Sequence, residues 1–388
     1  MNLPRINKMK TLKLFRKEHI KSHLLFWCLF LVCNTAMALE LKDRLLLPSK
    51  VFSNAEKSAL LDVTVLGSRL IAVGERGVIV YSDDAGEKWQ QAEVPVSVTL
   101  TSMFFSDDLN GWAVGHSGVI LYSKDKGSKW ELQLEGNQAN EALFYIAKKD
   151  FKAAKSEYEK ATEEEQEDLV YVLEDAEFAV SNAEFDKALG PANPFLDVWF
   201  RNQNEGYAVG AYGLFFETRD GGKTWGSAAD RLDNIDRYHL NAIRGIDGGV
   251  LFIVGEAGTM FASYDQGSTW ETLYAPYQGS FFGLQSVGQN GELLVYGLKG
   301  NVYRSEDDGQ SWKKVDVPIE TSLTSSIRSQ TGAITLVGFS GVVITSNDGG
   351  DTFVKIKQSG FEAYNGVSAL QNSELILVSD HGVHFQSY

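Results

Sequence analysis

Short hydrophobic runs separated by turn-forming residues make up most of the chain. Between residues 101 and 133 the runs "TSMFF", "GWAVG", "VILYS" and "KWELQ" follow one another, with polar residues and Gly between them. Such runs, bounded by turn residues, predict β-strands. Apolar and polar residues alternate only weakly in the first two runs, which indicates strands buried on both faces. The pattern predicts a unit of four strands, A to D.

This unit is repeated along the chain. The segment "VGERGVIVYSDDAGEKW" recurs with small changes, for example as "VGHSGVILYSKDKGSKW". The second positions of successive copies are 41, 95, 45, 42, 41 and 41 residues apart. A period near 42 in a β-rich chain predicts an all-β fold, a seven-bladed β-propeller. The seven copies begin at Val73, Val114, Val209, Val254, Tyr296, Val337 and Val378.

Six copies contain an Asp box, Ser/Thr-x-Asp-x-Gly-x-x-Trp/Phe, between the third and fourth runs. A short Asp accepts backbone N–H bonds within a turn, Gly permits positive φ, and the aromatic residue packs on the sheet. A catalytic group has no reason to recur around a ring, so we interpret the box as a structural C–D hairpin. Its aspartates are Asp84, Asp125, Asp220, Asp265, Asp307 and Asp348.

The seventh copy stops where its box begins, so blade seven has no pattern for a fourth strand. The segment "LKDRLLLPSKVF" at 41–52 precedes blade one. We expect it to supply the missing strand and close the ring, because closure removes exposed sheet edges.

The spacing of 95 is explained by an insertion at 137–190 that differs from the repeats. It is rich in Ala, Glu and Lys, with apolar residues at steps of three or four, and Pro191 and Pro194 follow it. The pattern predicts two amphipathic helices in an antiparallel hairpin. With 14 acidic residues and six lysines, it is interpreted either as a solvated decoration or as a partner-binding arm.

The hairpin lies in a D–A connection between blades two and three. In a propeller these connections and the B–C turns emerge at one end of the ring, which we call the mouth. We therefore expect the hairpin to stand over the mouth, and the tips of the B–C turns to form a binding surface. The candidate binding residues are Arg76, His116, Tyr212, Lys299, Phe339 and His381.

The first 38 residues have the features of a secretory signal peptide. Seven basic residues precede the apolar run "LLFWCLFLV" at 24–32, and Ala36-Met37-Ala38 provides an A-x-A site. We expect cleavage before Leu39 and a periplasmic location, with an uncleaved anchor as the alternative. The predicted organisation is a signal peptide at 1–38, the closing strand and blades one and two at 39–136, the hairpin at 137–190, and blades three to seven at 191–388.

Charge and cysteine usage limit the range of partners. From residue 39 onwards the chain carries 29 Lys and Arg against 50 Asp and Glu, a net charge of −21 with His neutral. We expect no nucleic acid partner, because phosphate binding relies on basic side chains. Both cysteines, Cys28 and Cys33, precede residue 39, so the rest of the sequence offers no thiolate ligand.

Asp boxes also occur in sialidases, which use three arginines, a Tyr nucleophile with a Glu partner and an Asp acid. The mouth turns offer only Arg76, and no Phe/Tyr-Arg-Ile-Pro signature occurs. Arg201, Arg244 and Arg328 recur near the ends of three A strands and form a candidate basic patch. No metal-ligand pattern, phosphate loop or Ser-His-Asp arrangement stands out. We therefore predict no catalytic residue, no metal and no cofactor.

The segment "GWAVGHSGVILYSKDKGSKW" at 111–130 and its repeats resemble the photosystem II stability/assembly factor family. The resemblance covers roughly 40–136 and 191–388 and implies a seven-bladed Asp-box propeller on the lumenal or periplasmic side of a membrane. In phototrophs the family helps to assemble a reaction-centre complex without being an enzyme. Relatives in non-photosynthetic Gram-negative bacteria resemble accessory proteins, often associated with RND-type exporters. The helical insertion and the strong acidity depart from the family pattern.

This resemblance implies a periplasmic, non-enzymatic propeller that docks on a membrane protein complex, photosystem-like or an RND-type exporter. The insertion at 137–190 is the candidate partner arm. A glycoside hydrolase and a glycan-binding lectin are the alternatives, and turnover of a fluorogenic glycoside or binding to glycans would distinguish them.

Overall fold

The computed structural model describes residues 44–246, 248–288, 291–356, 360–370 and 374–387. Seven antiparallel sheets, each built from one stretch of chain, surround a central channel. The innermost strand of each sheet contacts the innermost strands of the two neighbouring sheets, and the last contacts the first. The predicted seven-bladed propeller with an inserted helical hairpin is confirmed. The predicted signal peptide lies outside the described residues.

The strands follow the predicted order A to D within each blade. Blades one and two contain β1 (Leu60–Leu66), β2 (Arg69–Gly74), β3 (Ile79–Ser82), β4 (Gln90–Gln91), β5 (Leu100–Phe105), β6 (Gly111–Gly115), β7 (Val119–Ser123) and β8 (Glu131–Leu134). Blades three and four contain β9 (Phe195–Phe200), β10 (Gly206–Gly210), β11 (Phe215–Thr218), β12 (Gly226–Ser227), β13 (Leu240–Gly245), β14 (Leu251–Gly255), β15 (Met260–Ser263) and β16 (Glu271–Thr272). Blades five to seven contain β17 (Phe281–Ser286), β18 (Leu293–Gly297), β19 (Val302–Ser305), β20 (Lys313–Val315), β21 (Leu323–Arg328), β22 (Ile334–Gly338), β23 (Val343–Ser346), β24 (Val354–Lys355), β25 (Tyr364–Ala369), β26 (Glu374–Ser379) and β27 (Gly382–Ser387).

The core of the protein lies between the blades. The B strands are buried along almost their whole length, as the weak alternation in the sequence predicts. Seven hydrophobic clusters form the core, one at each interface between neighbouring blades. Because each blade buries its apolar surface only against its neighbours, the ring is stabilised as a closed unit.

The Asp boxes form the C–D hairpins and share one hydrogen-bond pattern. In blade one, Asp84 Oδ1 accepts bonds from Ser82 Oγ and from the Lys88 N–H, both at 2.8 Å. Ser82 Oγ in turn accepts the Gly86 N–H at 2.9 Å. These bonds recur in all six boxes, so each carboxylate is engaged within its own turn. Bonds from Thr269 and Thr352 lower the pKa of Asp265 and Asp348 to about 2.

The prediction that residues 41–52 supply the fourth strand of blade seven is wrong for the part of this segment that the structure describes. Within the described residues, blade seven has three strands. Residues 44–52 run along the outer edge of blade one, where the Ser49 N–H bonds to Val94 O at 3.0 Å and Gln91 Nε2 to Lys50 O at 2.7 Å. The ring closes through side chains, including Asn365 Nδ2, which donates to Leu60 O at 3.0 Å.

The insertion forms helix α1 (Gly136–Tyr158) and helix α2 (Glu163–Leu189). Each helix begins with a capping box, at Glu135 and Thr162, in which the side chain accepts backbone N–H groups of the first turn. The Gly190 C-cap has φ 80°, a conformation that favours glycine, and Pro191 follows. Within the described ranges, no helix is long and apolar enough to cross a membrane.

Candidate functional site

The B–C turns of blades one to six share one backbone conformation. Their second residue is left-handed, with φ between 52° and 59°, and the glycine that follows also has positive φ. At Gly77 a Cβ atom would lie 2.1 Å from Val96 O, so no larger residue fits. All six candidate binding residues on the B–C turns are exposed, namely Arg76, His116, Tyr212, Lys299, Phe339 and His381.

The base of the hairpin lies at the same end of the ring. A Cβ on Gly118, in the B–C turn of blade two, would be 2.7 Å from the Cα atom of Gly136, where α1 begins. The insertion follows β8, the outer strand of blade two, and precedes β9, the inner strand of blade three. The predicted placement in a D–A connection next to the B–C turns is therefore found.

A cleft of about 590 Å³ opens beside the B–C turns of blades one and two. Arg76 and His116 line it together with Arg44 and Lys50 from the segment before blade one. Its lining in the described structure contains no carboxylate side chain, although Glu75 Oε2 approaches Arg76 Nε at 3.4 Å. Three cationic groups thus converge on one surface of a strongly acidic chain. This cleft, called the basic cleft below, is suited to an anionic group.

His116 adds a polar group to the basic cleft without adding charge. Desolvation lowers the pKa of its imidazole below the usual 6.5. The ring is therefore neutral at pH 7 and can donate or accept a hydrogen bond. The structure brings Arg76 and His116 together, whereas Lys299, Phe339 and His381 belong to blades five, six and seven.

Arg201, Arg244 and Arg328 lie in different surroundings. Arg201 Nη1 is 3.0 Å from Glu205 Oε2 and 3.0 Å from Gln266 Oε1. Arg244 lies in the central channel, and Arg328 is exposed at the end of β21. Two of the three arginines already have carboxylate partners, and their action as one basic patch stays a prediction.

The central channel, about 240 Å³ in volume, contains a charged cluster. Asp62, Ser102 and Asp197 occupy the third positions of strands A in blades one to three, and Arg244 comes from blade four. Ser102 Oγ lies 2.8 Å from Asp197 Oδ1 and 3.4 Å from Asp62 Oδ2. Arg244 Nη1 donates to Asp197 Oδ2. The cluster therefore links four consecutive blades, and we call it the channel cluster.

The carboxylates of the channel cluster also bind the backbone of neighbouring blades. Asp62 Oδ2 accepts the Met103 N–H at 2.9 Å, and Asp197 Oδ2 accepts the Ile243 N–H at 2.9 Å. Carboxylate oxygens that already accept hydrogen bonds from the backbone are poorly placed for proton transfer to a substrate. This geometry favours a structural role over acid–base catalysis. Within the described residues, no group of three or more His, Asp and Glu side chains is placed to hold a metal ion.

Burial and neighbouring charges shift the pKa values of groups that line the central channel, among them Asp62, Arg244 and Tyr296. Burial raises the pKa of Asp62 to about 6, against the opposing effects of the Met103 N–H and the positive charge of Arg244. Burial also raises the pKa of Tyr296 to about 12. For Arg244, burial is the largest effect and lowers the pKa, but the charges of Asp197, Tyr296 and Asp62 and the hydrogen bond to Asp197 together raise it, so the net shift is upward.

We expect Asp62 to make the stability of the propeller depend on pH. Its pKa is higher in the folded protein than the ordinary 3.8, so the folded state binds more protons between about pH 4 and pH 6. Stability should therefore fall as the pH rises through this window, by about 1–3 kcal/mol. Asp62→Asn removes the titrating group. Urea unfolding of both proteins across this range measures the difference, and parallel pH profiles would contradict the prediction.

The base of the hairpin is fixed by an ion pair to the connection between blades three and four. Asp186 pairs with Arg237, which lies in the connection from blade three to blade four. Arg237 Nε also donates to Tyr212 O at 3.2 Å. Asn140 Nδ2 donates to Asp186 O at 3.0 Å and to Gly190 O at 2.9 Å, which joins the two ends of the insertion. The contacts place Tyr212 next to the hairpin, so this mouth turn and α2 share one surface.

The sequence reasoning missed the channel cluster, although a signal for it exists. Asp62 and Asp197 are the third residues of the strands "LLDV" and "FLDV", where blades four and five have Ala242 and Gly283. Alignment of the A strands, rather than of the Asp boxes, shows these two acids at equivalent inward positions. The basic cleft gives no such signal, because Arg44 and Lys50 lie outside the repeats.

A sequence model described as "Photosynthesis system II assembly factor YCF48" matches residues 51–138 and 181–334. The chain belongs to this family. The resemblance predicted from the Asp-box repeats is thereby confirmed, and the YCF48 family is described by its name as one of assembly factors. Residues 139–180, most of the helical hairpin, lie outside the match.

Individual relatives are distant. The photosystem II assembly lipoprotein Ycf48 of Synechococcus sp. (strain CC9902) is 34% identical over 83 residues, 21% of this chain and 24% of that protein. The match thus spans about a quarter of the length of this curated relative.

Solved structures with a similar fold include two YCF48 proteins. "YCF48 bound to D1 peptide" has a TM-score of 0.58 at 14% identity, covering 85% of this chain and 93% of that chain. YCF48 from Cyanidioschyzon merolae has a TM-score of 0.57 at 13% identity, with 87% and 97% covered. The WD40 β-propeller domain of Doa1 has the same TM-score at 11% identity, with 89% and 97% covered. At these identities the solved structures show the propeller fold alone.

Proposed function

We propose that this protein is a non-enzymatic assembly or accessory factor that binds an extracytoplasmic segment of a membrane protein complex at its mouth. The basic cleft, with three cationic groups beside the B–C turns, is the observation that carries this proposal. The YCF48 family, whose name describes assembly factors, supports it. So does a solved family member that is described as bound to a peptide.

The chemistry of the basic cleft fits an extended peptide with a carboxylate. Leu47, Phe52, Val98 and Pro191 provide apolar wall, while the cationic groups lie around it. A volume of about 590 Å³ lies within the range of small-ligand sites, roughly 300–1,000 Å³. An acidic side chain or a chain terminus would pair with the cations while neighbouring apolar side chains contact the walls.

The partner is proposed to be a membrane protein complex on the periplasmic side, photosystem-like or an RND-type exporter. The N-terminal basic and apolar segment with its A-x-A site supports export. Cell fractionation, with mass determination of the exported chain, tests this location. A chain that begins at Leu39 would support cleavage, and retention in the cytoplasm would contradict the proposal.

In-cell cross-linking of the tagged full chain, followed by detergent extraction and mass spectrometry, tests the function. We expect a membrane complex to be captured, and Lys50→Ser/Arg76→Ser to reduce its capture at least about tenfold, since two charged contacts are lost. The matched control is Lys313→Ser/Lys314→Ser in β20 of blade five, which removes the same charge away from the cleft. A second variant tests whether the hairpin takes part in capture. It replaces 137–189 by a short Gly-Ser linker, which is possible because Gly136 lies close to Pro191.

Capture of a membrane complex that both Lys50→Ser/Arg76→Ser and the control leave unchanged would exclude the basic cleft as the docking site. Absence of any membrane protein from the cross-linked material would overturn the proposed function. Turnover of a fluorogenic glycoside by the purified protein would overturn it in favour of a hydrolase.

A further inference from the structure

A second concave surface lies between the hairpin and the propeller. Its volume is about 290 Å³. Ile146 of α1 and Phe178 of α2 form one wall, and Tyr212 and Ile235 of blade three and its connection form the other. We call this surface the hairpin groove. The α1 residues of its lining, with Asp175, Phe178 and Ala179 of α2, lie outside the residues that the YCF48 family model matches, and the rest of the lining lies within them.

The walls of the hairpin groove expose large apolar side chains. Phe178 is 61% exposed, Ile235 68% and Tyr212 51%. Single exposed apolar residues are ordinary, but three of them around one depression form a patch that is typical of a binding surface. On α2, Tyr171, Phe178 and Phe185 follow at steps of seven and are all exposed, so the apolar stripe continues along the helix on both sides of the groove.

The rim of the hairpin groove is acidic. Asp150, Asp175 and Asp230 line it, and none has a basic side chain within ion-pair distance among the residues that the structure describes. Its single arginine, Arg237, is already paired with Asp186. Helix α2 as a whole has ten acidic residues against one lysine, Lys187. A groove with apolar walls and an unpaired negative rim is complementary to a ligand that has both apolar and positively charged groups.

We propose that the hairpin groove docks a basic amphipathic segment of a partner protein. Its apolar side chains insert between Phe178 and Ile235, and its Lys or Arg side chains lie over Asp150, Asp175 and Asp230. Charge complementarity selects this occupant, because a second copy of the chain would bring another strongly acidic α2 to the groove. The basic cleft accepts the opposite charge, so this proposal does not rest on the function assigned to the cleft.

Fluorescence anisotropy with the full chain tests the proposal. The probe is a fluorescein-labelled synthetic peptide of Leu and Lys that forms an amphipathic helix of about five turns. A peptide with the same Leu positions and Glu in place of Lys is its control. We expect the Leu/Lys peptide to bind and the Leu/Glu peptide to bind at least about tenfold more weakly, because only the former matches the rim.

Two variants locate the binding. Phe178→Ser/Ile235→Ser should weaken binding of the Leu/Lys peptide at least tenfold, since two apolar contacts are lost. Asp150→Asn/Asp175→Asn/Asp230→Asn should weaken it about tenfold at low salt and reduce its salt dependence. The matched control, Val354→Ser/Phe361→Ser, removes two exposed apolar side chains elsewhere and should leave binding unchanged. All substituted positions are at the surface or partly exposed, and circular dichroism checks that the variants are folded.

Three results would overturn the proposal. One is equal binding of the Leu/Lys and Leu/Glu peptides. Another is binding that Phe178→Ser/Ile235→Ser and Val354→Ser/Phe361→Ser weaken equally. The third is a dimer in analytical ultracentrifugation that Phe178→Ser/Ile235→Ser dissociates, because a second copy would then be the occupant of the hairpin groove. None of these results bears on whether the basic cleft captures a membrane complex in cells.

Discussion

Replacing Asp197 with alanine is expected to lower the free energy of unfolding by about 3 kcal/mol. Asp197 is buried, and its carboxylate accepts bonds from Arg244, Ser102 Oγ and the Ile243 N–H. Alanine would leave the guanidinium without its partner and a buried N–H without an acceptor. Removing one member of a buried ion pair costs about 3–5 kcal/mol. The Arg244 side chain is 38% exposed, so we place the expected loss at the lower end.

Equilibrium urea unfolding followed by tryptophan fluorescence measures this loss. Asp83→Ala is the matched control, because Asp83 also pairs with an arginine, Arg69, at 2.7 Å, but its side chain is 50% exposed. Exposed pairs contribute about 0.2–1 kcal/mol. If Asp197→Ala costs no more than Asp83→Ala, the channel cluster does not hold the blades together.

Local sequence signals predicted the blades because the repeated turns depend on residues close together in the chain. In the turn Glu75-Arg76-Gly77, the glycine has a φ of 71°, and in each Asp box the bonded residues lie within four positions of one another. Positive φ and short-range side-chain bonds favour a few residue types strongly. The number of blades then follows from counting the repeats.

The closure of the ring could not be predicted in the same way. The strand expected within 41–52 has apolar residues that suit more than one sheet edge, and its pattern does not say which edge it joins. The structure places the described part of this segment against blade one instead. Blade seven packs on blade one through Ile376 and Val378, which meet Leu60 and Val80. This packing joins opposite ends of the chain, a contact that no local pattern encodes.

The mouth shows the same division between local and non-local information. Exposure of Tyr212 and Phe339 follows from their places in a repeated turn, so the sequence predicts it. The basic cleft needs Lys50, Arg76 and His116 to meet in space, and the hairpin groove needs α2 to lie beside blade three. Both surfaces are formed where a segment outside the repeats contacts the ring. The repeats therefore define the scaffold, and the irregular segments complete both candidate binding surfaces.

Trp112→Ala is expected to lower the free energy of unfolding by about 4 kcal/mol. Trp112 lies in β6, is fully buried, and stacks on Phe200 of blade three with ring centroids 3.5 Å apart. Its ring also lies 5.1 Å from that of Tyr122. Replacing a buried Trp by Ala costs about 3–5 kcal/mol, because the removed area is large and the neighbours fill the cavity only in part. Urea unfolding measures the loss.

Trp112→Phe separates the contribution of stacking from that of the indole. Phenylalanine keeps an aromatic ring against Phe200 and removes the Nε1–H, a buried donor that has no acceptor among the described residues. Removing an unpaired buried donor is favourable, and this gain offsets part of the free energy that is lost with the smaller contact area. We therefore expect Trp112→Phe to lower the free energy of unfolding by less than about 1.5 kcal/mol. Equal costs for the alanine and phenylalanine variants would show that aromatic stacking does not hold this interface. The hairpin is inserted between blades two and three. The interface between these blades would then depend on aliphatic side chains of the same cluster, such as Val114 and Val198.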